Sequence, residues 1–225
     1  MKPLSDAQIV ESWRANAEPW TDAVRSASIE SRVLVTDNAI VEAVLSRSPR
    51  SVLDIGCGEG WLVRMLAKQG ICAMGIDVVP ALIQAASEAG GGDFLVASYE
   101  SIAAGELDIE VDVVIANFSL IGKESVEGVL RHVPRMLAPN GALIVQTLHP
   151  ITACGDQPYE DGWRPGSWTG CGAGFSNPAP WYFRTVESWQ KLFVHSGLRV
   201  TETKEPLHPI SGRPASLLIV AESSC

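Results

Sequence analysis

Short apolar segments alternate with helical segments between residues 51 and 148, and this alternation is the strongest constraint on the fold. The apolar segments carry few polar residues, as do strands that are covered on both faces of a parallel sheet. The intervening helices supply crossovers, which are right-handed in nearly all proteins. The pattern therefore predicts an α/β protein with a doubly wound, Rossmann-like sheet. Its core strands are expected at 51–55, 71–76, 94–97, 111–116 and 142–148, with a turn at Asn140-Gly141 before the last of them. Helices are expected near 37–46 with Leu45 facing inward, from Pro80 to the glycines that begin at Gly90, and over 186–195.

The flanking segments divide this single domain of 225 residues into four parts. Helical patterns in residues 1–48 predict an N-terminal helical cap, and residues 49–150 hold the core strands and their crossover helices. Residues 151–184 are rich in glycine, proline and aromatic residues and show neither a helical nor a strand period. A long ordered segment of this kind is usually functional, so we expect either a lid or an oligomer contact. Residues 185–225 predict a helix followed by two strands.

Charge and cysteine usage restrict the classes of partner. With 26 acidic and 17 basic residues the net charge is −9, which disfavours nucleic acid and anionic membrane surfaces as partners. No apolar run approaches the roughly 20 residues of a membrane span, and no secretory signal is visible. The five cysteines have irregular spacing, which predicts neither a disulfide framework nor a metal site. We therefore expect a cytoplasmic protein, either a monomer or a homodimer.

A glycine-rich turn follows the first predicted strand, with glycines at positions 56, 58 and 60. Glycine allows a positive φ and close approach of a ligand, and the following helix offers free N–H groups. Ligands of open α/β sheets bind at the carboxyl ends of the strands, where this turn lies. The spacing G-x-G-x-G differs from the G-x-G-x-x-G of dinucleotide enzymes.

Two carboxylates accompany the turn. Asp54 lies two positions before Gly56, where it would repel a pyrophosphate but suit a cationic or amine-bearing ligand. Asp77 ends the second predicted strand, where a carboxylate can accept hydrogen bonds from ribose hydroxyls. Three glycines alone are also compatible with a simple tight turn. Their combination with both aspartates favours a nucleoside ligand that carries positive charge.

These segments resemble the class I S-adenosylmethionine-dependent methyltransferases. Residues 52–60 match the first motif of that family almost letter for letter, and three further segments match later motifs. The resemblance spans 34–148 well and 185–221 loosely. It implies a seven-stranded sheet whose last strand is antiparallel to the others. The further matching segments are 75–77, 111–120 and 137–145.

The resemblance implies S-adenosylmethionine as cofactor and assigns its contacts. Asp77 would bind the ribose, and Val78 would pack on the adenine. This chain has Ser98 where the family often has an acidic residue for the adenine amino group. The motif residues expected to hold the methionine part are Asp54, Gly56, Cys57 and Gly58, and Ile55 and Gly60 of the same motif are further candidates for cofactor binding. The residues expected at the adenine edge are Ser98 and Tyr99, and those beside the sulfonium and the acceptor are Asn117 and Phe118.

Other candidates come from outside these motifs. Arg32, in the cap, is a candidate partner for the carboxylate of the cofactor. His149 ends the fifth predicted strand and is the preferred candidate for a general base, with His208 second. The alternative for His149 is a structural contact that anchors the following loop. Tyr182 is a candidate at the acceptor pocket, although the aromatic residues of 151–184 would also account for the packing of a lid.

The resemblance implies methyl transfer to a small apolar or aromatic molecule through an oxygen or nitrogen atom. Methyl transfer depends mainly on orienting the two reactants, so the lack of an obvious catalytic residue does not count against it. One alternative is a non-catalytic or regulatory protein that retains the cofactor site, and another is a protein methyltransferase. A nicotinamide-dependent oxidoreductase is disfavoured because the chain lacks the G-x-G-x-x-G spacing.

Overall fold

The computed structural model describes residues 3–224, and the expectations for Met1, Lys2 and Cys225 lie outside them. The strands of these residues are β1 Ser51–Ile55, β2 Cys72–Asp77, β3 Asp93–Val96, β4 Val111–Asn117, β5 Leu137–Thr147, β6 Gly162–Arg164, β7 Trp181–Phe183, β8 Leu198–Lys204 and β9 Leu217–Ser223. Seven of them form one sheet in the order β3-β2-β1-β4-β5-β9-β8, and β6 pairs separately with β7.

Strands β1 to β5 run parallel, whereas β9 is antiparallel to both of its neighbours, β5 and β8. The prediction of a doubly wound, seven-stranded sheet with its last strand antiparallel is confirmed. Strand β1 lies between β2 and β4. The sheet grows from β1 through β2 to β3 on one side, and the chain then crosses back to add β4 and β5 on the other side. This reversal opens a crevice at the carboxyl ends of β1 and β4, where ligands of such sheets bind.

Helices cover both faces of the sheet, and an apolar core fills each face. Ile102, Leu130 and Phe193 belong to one core, and Ile40 and Leu62 belong to the other. Two covered faces explain why the central strands β1, β4 and β5 are mostly apolar. The helices are α1 Asp6–Ala15, α2 Ala17–Arg25, α3 Asp37–Leu45, α4 Trp61–Ala67, α5 Pro80–Ala89, α6 Tyr99–Ala104, α7 Glu124–His132, α8 Pro150–Cys154 and α9 Val186–His195.

Strand β5 is longer than the sequence predicts, because a bulge replaces an expected turn at Asn140 and Gly141. The pairing passes from Val111 with Leu137 to Val113 with Ala142. An advance of two residues along β4 therefore corresponds to an advance of five residues along β5. Asn140 takes a φ of +66°, which asparagine tolerates better than most residues. The turn-forming residues are thus accommodated inside the strand as a bulge.

The segment 151–184 contains regular structure that the sequence did not predict. Helix α8 includes its first residues, and β6 and β7 form a small antiparallel sheet. These two strands have three residues each, which is too short for a strand period to be visible in the sequence. Among residues 3–224, no helix has the length and apolar character needed to cross a membrane.

Candidate active site

A cavity of about 860 Å³ lies at the carboxyl ends of β1, β2 and β4, between the N-terminal helices and the segment 151–184. Its wall contains most of the residues that the sequence singles out, although these are far apart along the chain. The sheet brings them together because parallel strands end at one edge. The predicted site residues in the wall are Arg32, Asp54, Gly56, Cys57, Gly58, Asp77, Val78, Tyr99, Asn117, Phe118, Tyr182 and His208.

Three predicted cofactor residues, Ile55, Gly60 and Ser98, lie outside the wall formed by residues 3–224. The Ile55 side chain is fully buried in the core. Gly60 precedes α4 with a φ of +81°, and a Cβ there would lie 2.5 Å from the ring of Phe94. The Ser98 hydroxyl caps α6 by accepting the backbone N–H of Ser101 at 3.2 Å. Each of these residues therefore has a structural role in the described part of the chain.

His149, the preferred candidate for a base, also lies outside the cavity wall among the described residues. Its imidazole is 2% exposed, and Nε2 lies 3.2 Å from a Glu205 carboxylate oxygen without hydrogen-bond geometry. The chain turns at His149 into α8, which buries the ring behind the site. His208, from the connection between β8 and β9, is in the wall instead.

The glycine-rich turn is held tightly at both ends. The N–H groups of Gly56 and Cys57 both donate to the carbonyl of Ile76 in β2, at 2.8 and 2.9 Å. Gly56 has a φ of +77°, and a Cβ there would lie 2.4 Å from the Cβ of Ser119. The Ser119 hydroxyl in turn donates to the carbonyl of Ile55 at 2.6 Å. Glycine at position 56 is therefore required by both conformation and space.

Asp77 is oriented by backbone groups of its own surroundings. One carboxylate oxygen accepts the N–H of Gly58 at 3.0 Å, and the other accepts the N–H of Val79 at 2.9 Å. Burial raises the pKa of Asp77, although these backbone hydrogen bonds act in the opposite direction. A carboxylate oxygen has a second lone pair, so both oxygens retain an acceptor position for ligand hydroxyls.

Asp54 is buried without a partner for its Oδ1 among the described residues. Burial, followed by the charge of Asp77, raises the pKa of Asp54 to about 7. Two neighbouring buried carboxylates without a cation are unfavourable unless a ligand supplies positive charge. The site therefore fits a ligand that carries a sulfonium or an ammonium group.

Arg32 enters the cavity from a π-helical turn over Arg32–Thr36, directly before α3. Its guanidinium lies 4.8 Å from the ring centroid of Trp61 and 5.8 Å from that of Trp20. Its Nε donates to Asp37 at 3.0 Å, whereas its Nη groups make no hydrogen bond within residues 3–224. These Nη groups are available to a carboxylate of a ligand.

Cys57 and Tyr99 contribute to the wall without offering a reactive group. Burial is the main cause that raises the pKa of the Cys57 thiol and of the Tyr99 phenol. The Tyr99 hydroxyl donates to the carbonyl of Ser119 at 3.0 Å. Both groups stay neutral at physiological pH, so neither serves as a nucleophile or base there.

A buried amide, Gln146, organises the end of β4 and was missed by sequence reasoning. Its Nε2 donates to the carbonyl of Thr36 at 2.9 Å and to Oδ1 of Asn117 at 2.8 Å. A backbone carbonyl only accepts, so the Asn117 oxygen must face Gln146 and its Nδ2 must point elsewhere. Next to it, Phe118 takes a φ of +55°, a strained value typical of functional positions. The sequence signal that could have indicated this role is the single amide side chain of Gln146 within an otherwise apolar strand segment.

The N-terminal helices and the segment 151–184 are joined over the cavity. Asn16 is fully buried, and its side chain exchanges two hydrogen bonds of 2.8 Å with the backbone of Ser176. Ser12 donates to the carbonyl of Asn177 at 2.6 Å. Ring contacts continue this link from the cap into the segment, through Trp20, Trp13, Trp168 and Phe175.

Asn16→Ala is expected to loosen this link. The substitution removes both hydrogen bonds between the Asn16 side chain and the backbone of Ser176, which contribute about 0.5–1.5 kcal/mol each. We expect amide hydrogen exchange of residues 165–180 to accelerate about tenfold, with little change in the central strands. Asn38→Ala, at an exposed position of α3, is the control. Unchanged exchange in the Asn16 variant would show that the link does not hold the segment in place.

Comparison with known proteins agrees with this geometry. A family model described as a methyltransferase domain matches residues 34–203. An uncharacterized methyltransferase of Schizosaccharomyces pombe is 26% identical over 178 residues, which are 72% of this chain and 64% of that protein. The ubiquinone biosynthesis O-methyltransferase of Methylococcus capsulatus is 28% identical over 144 residues, 62% of this chain and 61% of that protein. The chain thus spans less than two thirds of both curated relatives.

A solved structure has the same fold. The S-adenosylmethionine-dependent methyltransferase from Mesorhizobium loti is similar with a TM-score of 0.61 at 21% identity, over 80% of this chain and 95% of that one. The family match covers most of the chain and includes the glycine-rich turn, Asp77 and the end of β4. The chain therefore belongs to the class I S-adenosylmethionine-dependent methyltransferase family.

Proposed function

We propose that this protein transfers a methyl group from S-adenosylmethionine to a small molecule enclosed between the cap and the segment 151–184. One observation supports this most strongly. A single cavity connects the buried acidic turn to a chamber whose wall includes Trp168, Trp181 and Tyr182. Aromatic walls of this kind suit an apolar or aromatic acceptor.

The residues at the β1 and β2 end of the cavity would hold the cofactor. When bound, S-adenosylmethionine supplies a methyl group on a sulfonium, which is a good leaving group. Asp77 accepts hydrogen bonds from the ribose hydroxyls, and Asp54 balances positive charge. Arg32 receives the carboxylate with its Nη groups.

The other end of the cavity orients the acceptor and excludes water, which are the main contributions that methyl transfer requires. Tyr182 packs edge-on against Trp163, with ring centroids 5.6 Å apart, so it shapes the chamber. The Nδ1 of His208 accepts the N–H groups of Ile210 and Ser211, both at 3.4 Å. Its Nε2 then carries the proton in the neutral ring, which makes His208 a hydrogen-bond donor to an acceptor molecule.

Calorimetry with S-adenosylmethionine and S-adenosylhomocysteine tests the proposal directly. Absence of binding by both at millimolar concentration would overturn it. Transfer of a labelled methyl group is then measured with phenols, carboxylates, amines, a protein mixture and bulk tRNA as acceptors. Binding without transfer to any of them would favour the non-catalytic alternative, and transfer to the protein or tRNA alone would replace the small acceptor.

Cofactor binding is expected to release protons at pH 6, and to release far fewer protons at pH 8.5. A pKa of about 7 means that free Asp54 is largely protonated at pH 6, whereas a cationic ligand favours its charged form. Asp77, whose pKa is also raised, contributes in the same direction. Calorimetry in buffers of different ionisation enthalpy counts the protons. Asp54→Asn should reduce the release at pH 6, and equal release at both pH values would contradict this account.

The same raised pKa affects the stability of the free protein. The folded state holds the Asp54 proton more tightly than the unfolded state does. The contribution of Asp54 to the free energy of unfolding is therefore most favourable below its unfolded pKa near 4. We expect the free energy of unfolding to decrease as the pH rises from 4 to 7 through this group. The Asp54→Asn variant, compared by urea unfolding at pH 5 and pH 7.5, should show a smaller decrease.

A further inference from the structure

Two buried arginines lie in the cavity wall away from the residues that would hold the cofactor. Arg164 ends β6 and is 7% exposed, and Arg184 follows β7 and is 4% exposed. Arg164 belongs to the small sheet within the segment 151–184, and Arg184 directly follows it. The register of this sheet pairs Arg164 with Trp181, which is also in the wall. Cationic and aromatic groups therefore meet on one side of the chamber.

Neither guanidinium forms an ion pair with a carboxylate of residues 3–224. Arg164 donates to the carbonyls of Cys154 at 3.3 Å and Pro158 at 2.6 Å, with a longer contact of 3.5 Å to that of Glu160. A guanidinium has five N–H groups, so part of the donor capacity of Arg164 is unused. The guanidinium of Arg164 also lies 3.7 Å from the ring centroid of Phe183, but this contact supplies no negative ion, so a ligand anion would stabilise the buried cation.

The acidic residues near these arginines do not neutralise the positive charge of Arg164. Asp6 is in the same wall, but its two oxygens accept the backbone N–H groups of Lys123 and Ser125 at 2.8 and 2.7 Å. Burial lowers the pKa of Arg184, and Glu127, Asp161 and Asp6 act against this from a distance. Arg184 also donates to the carbonyls of Gly122 and Lys123. Arg184 is thus partly balanced, and Arg164 is the better partner for an anion.

Other polar groups at this end of the cavity are also donors. The hydrogen bond from Gln146 leaves Asn117 with its Nδ2 as the free group, and the neutral ring of His208 carries its proton on Nε2. A wall with an unpaired guanidinium and further N–H donors is complementary to an oxygen-rich, negatively charged molecule. The ring of Trp181 beside Arg164 adds an aromatic surface.

We infer that the methyl acceptor is an aromatic carboxylate and that Arg164 receives its carboxylate group. This inference rests on the proposed function. Arg164 acts as a specificity-determining residue, because a neutral or cationic analogue leaves its charge buried and unpaired. The ring stacks among the aromatic residues of the segment 151–184, which leaves the acceptor atom to face the cofactor end.

Calorimetry of the full chain, saturated with S-adenosylhomocysteine, tests this with three probes that share one ring system. Indole-3-acetate is anionic, tryptophol is neutral and tryptamine is cationic. We expect indole-3-acetate to bind at least tenfold more tightly than either of the others. Arg164→Met should remove this preference, and Arg164→Lys should retain part of it. Arg199→Met, at an exposed position of β8, is the control and should leave it unchanged.

Three results would overturn the inference: no binding of indole-3-acetate at millimolar concentration, equal or tighter binding of tryptophol or tryptamine, or an unchanged preference in Arg164→Met. Affinity for S-adenosylhomocysteine serves as the folding check for each variant. If Arg164→Met fails that check, the wild-type protein and Arg164→Lys provide the test. In both proteins, added salt must weaken the binding of indole-3-acetate and leave the binding of tryptophol unchanged. Failure of the wild-type protein to bind S-adenosylhomocysteine would instead contradict the proposed function.

Discussion

Asp77→Ala is expected to weaken the binding of S-adenosylhomocysteine about 100-fold. In the proposed function the carboxylate accepts hydrogen bonds from two ribose hydroxyls, and hydrogen bonds to charged groups contribute about 1.5–3 kcal/mol each. A loss of about 3 kcal/mol corresponds to roughly two decades of affinity. The substitution also frees the N–H groups of Gly58 and Val79, which Asp77 holds at 3.0 and 2.9 Å. Both effects act in the same direction.

Calorimetry measures the change, and thermal unfolding without ligand separates the lost ribose contact from a disordered turn. Asp108→Ala, at an exposed position of the loop before β4, removes the same charge from the surface and should leave affinity within twofold. An Asp77→Ala variant with unchanged affinity would show that the ribose does not bind beside β2. A variant that loses affinity only in proportion to its stability would assign Asp77 a purely structural role.

Gly56→Ala is expected to destabilise the protein by about 3 kcal/mol. An L-residue at a φ of +77° is strained by about 1 kcal/mol, and the added Cβ would lie 2.4 Å from the Cβ of Ser119. The neighbour cannot move freely, because the Ser119 hydroxyl is bonded to the carbonyl of Ile55 and its own carbonyl accepts from Tyr99. Relief of this clash requires the loop after β4 to shift, which also disturbs the cavity.

Gly70→Ala provides a matched control for this substitution. Gly70 has a similar φ of +82°, but a Cβ there would meet no atom of the described residues within 4 Å. We expect it to lower the free energy of unfolding by about 1 kcal/mol, with cofactor affinity unchanged. Urea unfolding of both variants isolates the contribution of the clash. Equal destabilisation of the two would indicate that only the backbone conformation matters at position 56.

Much of the fold follows from local patterns in the sequence. Helix α5 begins at Pro80 and ends before Gly90, as predicted, because proline suits the first turn and Gly90 takes a φ of +68°. Helix α9 has the predicted bounds of 186–195. Leu45 was expected on the buried side of α3, but it is at the surface and Ala43 is buried instead. Periodicity therefore located the helices better than it oriented their side chains.

The residues of the candidate site also fall into two groups, those recognisable from local sequence patterns and those that depend on distant partners. Asp54, Gly56 and Asp77 were recognisable because the turn chemistry and the strand ends are contiguous in the sequence. The roles of Gln146 and Arg164 were not, since each depends on partners far away in the chain or on burial by the segment 151–184. His149 shows the limit most clearly: its position at the end of β5 was predicted, but the direction of the chain after it was not.

By itself, the sequence determined the doubly wound α/β sheet and the acidic glycine-rich turn at the cofactor end, whereas the count of seven strands was implied by the resemblance to the methyltransferases. The sheet and the turn depend on hydrophobic periodicity and short-range backbone requirements, which neighbouring residues specify. Only the tertiary structure decided that His208 lines the cavity while His149 is buried beside Glu205. It also decided that Arg164 is left without a carboxylate. The physical reason is that burial and pairing of a polar group depend on which distant elements pack against it.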